Sequence, residues 1–290
     1  MEEFIKKIQK DIQKETNSNK LNQGINFSFI YFKELNNFLI RNFRKKFSID
    51  INNVSGTPRY DSAYTMYNDE ESYTIFIGFG LIKNIASGLL DHDKEMIDNL
   101  IRTFTIKYNS TDKYILAINI IFVSSLSTFI NHEILHCILG IKKENKNILE
   151  DEICADFCSG HLMETLYDII KNNLKDMHKD IYTREAVSAT LITCGIFYSI
   201  WKLHSIYYVT TVSQDHPDIK VRPILVSSAL FESLEKKYNF PLEKLISNLF
   251  YCYNTYYNMS FEEFKDNYIK YHKKAQPCTN RVQNIIKQNS

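Results

Sequence analysis

The stretch YILAINIIFVSSLSTFINHEILHCILG, Tyr114 to Gly140, decides how this chain is read. Its first part, as far as Ile130, is apolar and sits near the lower length limit for a membrane span, about 17 residues. Asn119, Ser124, Ser125, Ser127 and Thr128 interrupt it, and a pair of histidines follows without a break. A helix buried on most sides inside a soluble core fits this pattern better than a span. No membrane is therefore expected as a partner.

The histidines carry the chemistry. On a helix, positions i and i+4 lie on one face, a turn apart. His132 and His136 can then offer ring nitrogens to one cation at about 2.0–2.1 Å each. Glu133 is rotated from His132 by about 100°, so it can flank a cation without having to bind it. A carboxylate in that place can take the proton of a metal-acidified water as it attacks a carbonyl. The spacing matches what metal-assisted amide hydrolysis needs. The bland alternative is a solvated helix face with two stray histidines. Phe129, Ile130, Ile134, Leu135, Ile138 and Leu139 make that face apolar instead, and burying such groups without partners is costly.

A catalytic zinc takes a third protein ligand and keeps one position open. A third histidine six residues after the second is excluded, because that position is Lys142. Downstream, EDEICADFCSGHLM spans Glu150 to Met163. Glu152 and Asp156 again stand at i and i+4. Ala155 and Ser159 are small and would let this helix approach the first. Glu152 as third ligand, with Asp156 behind it bonding a ligand imidazole, would complete a site. The same acidic residues would also suit a solvated helix start. His161 is out of phase with Glu152 and is discounted as a ligand. In SQDHPDIKVRP, Ser213 to Pro223, His216 or Arg222 aimed at a scissile carbonyl would stabilise its oxyanion. A loop with a helix-starting proline and a surface arginine is the equal alternative.

Elsewhere the patterns are mostly helical. Residues 2–16 read as an exposed, charged helix, and Phe27 to Phe47 as a second helix ending in basic residues. DSAYTMY and YTIFIGFG flank the polar turn NDEES, which signals one antiparallel hairpin. Helices then follow to about residue 274, the last opening on a capping box from Ser260 to Glu263. The expected fold is mainly α (α+β), one domain over 1–290. It divides into an N-terminal helical extension (1–50), a core (51–235) and C-terminal helices (236–290).

Bulk composition narrows the function classes. The 290 residues are 44% hydrophobic and 24% charged, as in an ordinary globular chain. Thirty-five basic against 34 acidic side chains leave +1, which gives no general attraction to nucleic acid. Glycine (8) and proline (5) are scarce, which favours long helices. MEEFIKKIQKD lacks the apolar segment of a secretory signal, so a cytoplasmic, reducing location is the default. Most of the six cysteines then read as reduced, small hydrophobes within apolar helical patterns; Cys154 and Cys158 suit a metal less well than an apolar helix.

NHEILHCILG, EDEICADFCSGHLM, a long apolar helix and DHPDIKVRPIL, in that order, resemble the gluzincin metallopeptidases. Among these the chain looks most like the Lit-type phage-exclusion peptidases, over residues 60–235. The resemblance implies a zincin-like helical domain with its small sheet beside the active-site helix. It implies one Zn2+ per chain on His132, His136 and Glu152, with Glu133 as general base. Asp156 would stand behind the ligands, and His216 and Arg222 would line the site or stabilise the transition state. It further implies a prophage-linked antiviral role, in which a host protein such as a translation elongation factor is cleaved. The expected partners are a protein substrate and a regulatory activator or inhibitor. Tyr73, Ile75 and Ile77 are the expected sheet edge along which an extended substrate adds as a strand. The ImmA/IrrE-type proteases are an alternative, although they usually carry Asn at the place of Asp156. Membrane-embedded processing peptidases, which carry several spans, and a non-catalytic binding protein stapled by zinc are the others.

Overall fold

The computed structural model describes residues 2–52, 55, 62–69, 71–103, 111–139, 148–175, 181–207 and 217–289. Two helices open the chain, α1 (Glu2–Thr16) and α2 (Asn22–Phe43). Three strands follow, β1 (Lys46–Asn52), β2 (Ala63–Asp69) and β3 (Ser72–Gly78). The rest is helical: α3 (Phe79–Ser87), a π-helical turn (Gly88–His92), α4 (Lys94–Thr103), α5 (Thr111–Ile138), α6 (Ile148–Asn173) and α7 (Ile181–Tyr207). Then come α8 (Arg222–Tyr238), α9 (Leu242–Tyr257) and α10 (Phe261–Asn289). The chain is mainly α with one small mixed sheet.

α5 is the axis of the core, with α2, α6 and α7 packed around it and β2 and β3 against its later half. It is apolar all round, as a helix enclosed on every side must be. Three of its hydroxyls, those of Ser124, Ser125 and Thr128, are absorbed locally. The Ser124 hydroxyl donates to Ile120 O at 2.7 Å and the Thr128 hydroxyl to Ser124 O at 2.9 Å, the return bonding that lets such residues be buried. Among the described residues, two helical stretches are long and apolar enough to cross a membrane, Thr111–Ile138 and Thr183–Ser205. Their apolar windows are 83% and 78% buried inside the chain itself. Glycine sets two of the helix crossings. A Cβ on Gly160 would stand 2.0 Å from Val226 O, and one on Gly195 2.4 Å from Ser124 Cβ. α6 therefore meets α8, and α7 meets α5, at a distance no larger residue permits.

The sheet order is β1-β3-β2, with β1 parallel and β2 antiparallel to β3. The β2–β3 hairpin matches the sequence reading. β1 does not: the helix expected to reach Phe47 ends at Phe43, where Arg44 adopts a left-handed φ of 53° and its N–H bonds Ile40 O. KFSIDIN then alternates apolar and polar side chains, a period-2 pattern that pairs with β3. The expected boundary at residue 50 thus falls inside a strand of the central sheet. α1 is also less exposed than expected, since Ile8 and Ile12 are buried.

Two further expectations are corrected. β3 is bracketed by β1 and β2, so both its hydrogen-bonding edges are used. Tyr73, Ile75 and Ile77 cannot form the edge that receives a substrate. Ile75 and Ile77 are core residues, and Tyr73 stacks on Phe47. The last helix does not stop near residue 274 but runs to Asn289 with Pro277 inside it. That extension brings Cys278 onto α6, where it forms a disulfide with Cys154, Cα–Cα 5.3 Å. Those two cysteines are not the reduced hydrophobes expected. At the start of α10 the Glu263 N–H donates to Ser260 Oγ at 3.2 Å, as the capping pattern predicts.

Candidate metal centre

α5 and α6 run side by side, and the contact is pinned just before His132. The Asn131 side chain, fully buried, accepts from the Tyr31 hydroxyl at 2.8 Å and donates to Ser159 O at 3.4 Å. This joins α2, α5 and α6 through one satisfied amide, an arrangement that fixes rather than loosens a core. Beyond it, Arg281 of α10 donates to Asp151 Oδ1 at 3.0 Å and to Leu139 O at 2.8 Å. The end of α5 and the start of α6 are thereby tied together from outside.

Between those two ties, His132, His136 and Glu152 converge, with one donor atom from each lying within 4.8 Å of the others. The two Nε2 atoms are 2.8 Å apart, and each lies 3.3 Å from an oxygen of Glu152. Tetrahedral ligands at about 2.1 Å from a cation stand about 3.4 Å from one another. The histidine–glutamate spacings of 3.3 Å meet that value, and the histidine pair needs to open by about 0.6 Å. His132 and Glu152 are buried and His136 is partly open, which leaves one side for approach. Two imidazoles and a carboxylate are a donor set suited to a divalent cation. This buried group can hold a metal ion.

Behind it stands a second layer. Asp156, 2% exposed, places Oδ1 2.8 Å from His132 Nδ1. Arg222, at the first turn of α8, grips the same carboxylate with Nε to Oδ2 and Nη2 to Oδ1, both 2.8 Å. Burial alone would raise the Asp156 pKa, but the Arg222 guanidinium and the His132 ring hold it below the usual range. Burial pushes His132 down, yet the Asp156 carboxylate outweighs it and lifts the imidazole to about 9. A cation entering here therefore displaces a proton.

Glu133 points to the sheet side, where the Thr65 hydroxyl of β2 donates to its Oε2 at 3.2 Å. Cys137, one turn on, has its thiol pushed up to about 12 by burial, so it is no nucleophile at neutral pH. His161 lies away from the group, 2.9 Å from Ser233 Oγ.

Of the residues singled out in the sequence, the structure brings together His132, Glu133, His136, Glu152 and Asp156. Arg222 is present in another role: its guanidinium is committed to Asp156 rather than aimed at a reacting carbonyl. His216 lies outside the described residues. Sequence reasoning missed Thr65, Asn131 and Arg281. None had a local signal, because each meets its partner across a fold-level contact. Comparison with known protein families, curated proteins and solved structures finds no match to this chain.

Proposed function

We propose that the protein is a zinc-dependent endopeptidase. The observation that carries this reading is the placing of Glu133. It follows His132 directly on α5, and its carboxylate, steadied by Thr65, is left outside the three converging ligand groups. His132, His136 and Glu152 would hold the ion, and two imidazoles with one carboxylate are a catalytic zinc set. When bound, the ion supplies Lewis acidity to a substrate carbonyl and to a water.

The chain's own groups do the remainder. The Glu133 carboxylate accepts the water's proton and returns it to the leaving amine. The Thr65 hydroxyl occupies Oε2 and so orients the other oxygen for that exchange. Asp156 accepts from His132 Nδ1–H, which leaves Nε2 as the donor nitrogen. Arg222 keeps Asp156 ionised for that purpose.

An extended substrate is proposed to add along the outer edge of β2, the strand that also carries Thr65. β2 pairs with β3 on one side, and its Met66 and Tyr67 side chains are exposed, 47% and 61%. By resemblance to the Lit-type peptidases, the substrate would be a cytoplasmic host protein such as a translation elongation factor. The setting would be phage exclusion. A regulatory activator or inhibitor would restrain the activity.

The test is to induce the wild-type chain and the Glu133→Gln variant in parallel and map new protein termini. The expected result is a small set of termini in the wild type alone, with equal metal content in both proteins. Equal metal with no wild-type termini would favour a zinc-stapled binding protein instead. Cleavage retained by Glu133→Gln overturns the mechanism.

A further inference from the structure

The disulfide between Cys154 and Cys278 joins α10 to α6 just beyond Glu152. Less than one turn further along α10, Arg281 reaches both ligand-bearing helices. It donates to Asp151 Oδ1, beside Glu152, and to Leu139 O, a turn past His136. Pro277 stands just before Cys278 and has no N–H to return to Lys273 O, so the helical ladder is cut there. Residues 278–289 thus form a terminal strap jointed at Pro277. Among the described side chains of that strap only Cys278 is buried. Val282 and Ile285 are partly buried, and Thr279 Oγ1 lies 3.5 Å from His161 Nε2. A segment with so little apolar burial belongs to the low-stability end of a fold. The covalent link is what keeps it seated.

We propose that this disulfide is a redox latch on the metal centre. Oxidised, it seats the strap, and Arg281 ties the end of α5 to the start of α6. Reduced, the strap lifts and the ligand pair loosens. The latch rests on the metal reading of His132, His136 and Glu152. In the reducing location expected from the sequence, a protein disulfide is made and broken rather than permanent. The reductant is a dithiol. One of its thiolates attacks Cys278 Sγ, and Cys154 leaves as a thiolate and takes a proton. The second thiol then displaces Cys278, which is protonated in turn, and the reductant departs as a disulfide. Two electrons and two protons pass to the chain. Both cysteines are buried while the strap is seated, so opening at the exposed Pro277 joint admits the reductant. Cys158, one turn from Cys154 on α6, does not intercept the exchange, because burial pushes its thiol up to about 12.

The test compares the oxidised full chain with the same chain reduced by a water-soluble phosphine and desalted under argon. Hydrogen exchange, read without metal, should be slow over 278–289 and over the first turn of α6 in the oxidised chain. Reduction should speed both and leave α9 unchanged. Zinc affinity, read by competition with a chromophoric chelator, should fall about five- to tenfold, the low end of site-to-site couplings. Freed thiols can take zinc themselves, so Cys154→Ala/Cys278→Ala is measured too and should match the reduced chain in exchange and show the same fall in affinity. Arg281→Gln, with the disulfide intact, should keep the strap protected yet lose part of the zinc affinity. Circular dichroism and melting check the fold of each variant. Equal exchange of strap and α6 in the two redox states overturns the latch, as does equal zinc affinity in the oxidised chain and the folded double variant. Zinc bound by neither form overturns the metal reading instead, and the exchange comparison alone then decides the strap.

Discussion

Asp156 Oδ1 stands 2.8 Å from His132 Nδ1, while both carboxylate oxygens of the same residue are gripped by Arg222. One buried acid thus fixes the tautomer of a candidate ligand and neutralises a partly buried arginine. The two duties separate under substitution.

Asp156→Ala should weaken metal binding by about 10- to 100-fold, the usual cost of removing the group behind a ligand histidine. It should also destabilise the fold by up to about 3–5 kcal/mol, because Arg222 is left mostly buried and without Asp156. Arg222→Met should incur the second penalty in mirror image, and Asp156→Leu with Arg222→Met should cost less than the sum. Chelator competition reads the first effect and urea denaturation the second. Additive costs would show that the pair is not coupled.

Removing metal should lower thermal stability. An ion at about 100 times its dissociation constant contributes about 2.7 kcal/mol to the folded state. Exhaustive chelation should therefore lower the melting temperature by several degrees, and added zinc should restore it. His136→Ala, which deletes the partly exposed candidate ligand, should melt alike with and without zinc. A zinc response of wild-type size in that variant would remove the histidine from the ligand set.

Acid should destabilise the chain through His161. Burial, helped by the Lys236 charge, depresses this imidazole to about 4. Above about pH 6.5 it is neutral whether folded or unfolded and contributes nothing to the pH dependence. As pH falls from there to about 4, the unfolded chain takes up the proton first. Up to about 3 kcal/mol of stability is lost across that window. A His161→Gln variant measured by denaturant titration at neutral and acidic pH should show a shallower loss than the wild type.

The disulfide between Cys154 and Cys278 closes a loop with a sequence separation of 124. Reduction, or Cys278→Ser, should lower stability by about 2–4 kcal/mol. Thiol titration of the denatured, unreduced chain should find Cys137, Cys158, Cys194 and Cys252 free. Six titratable thiols in oxidised material would count against the pairing.

What could be read in advance follows the range of the interactions. The hairpin, the long helices and the Ser260 cap rest on contacts a few residues apart, so their patterns were visible. The ligand trio was nearly as legible, because each helix turn announces its own i, i+4 face and small residues mark where the two faces meet. β1 was missed because FRKKFSID continues an apolar spacing that serves helix or strand equally. Its choice was made by pairing with β3, 26 residues later along the chain. The same pairing moved Tyr73, Ile75 and Ile77 from an expected edge to the middle of the sheet.

The sequence by itself determined that two helices would carry His132, Glu133, His136 and Glu152 on apolar, closely packing faces. That is a matter of helical geometry and of which side chains water rejects. Only the tertiary structure decided that Arg222 would serve Asp156 rather than a substrate, that Thr65 would hold Glu133, and that Cys278 would reach Cys154. Those partners lie 66, 68 and 124 residues apart. No local periodicity encodes such encounters; they exist because the core closes in one way.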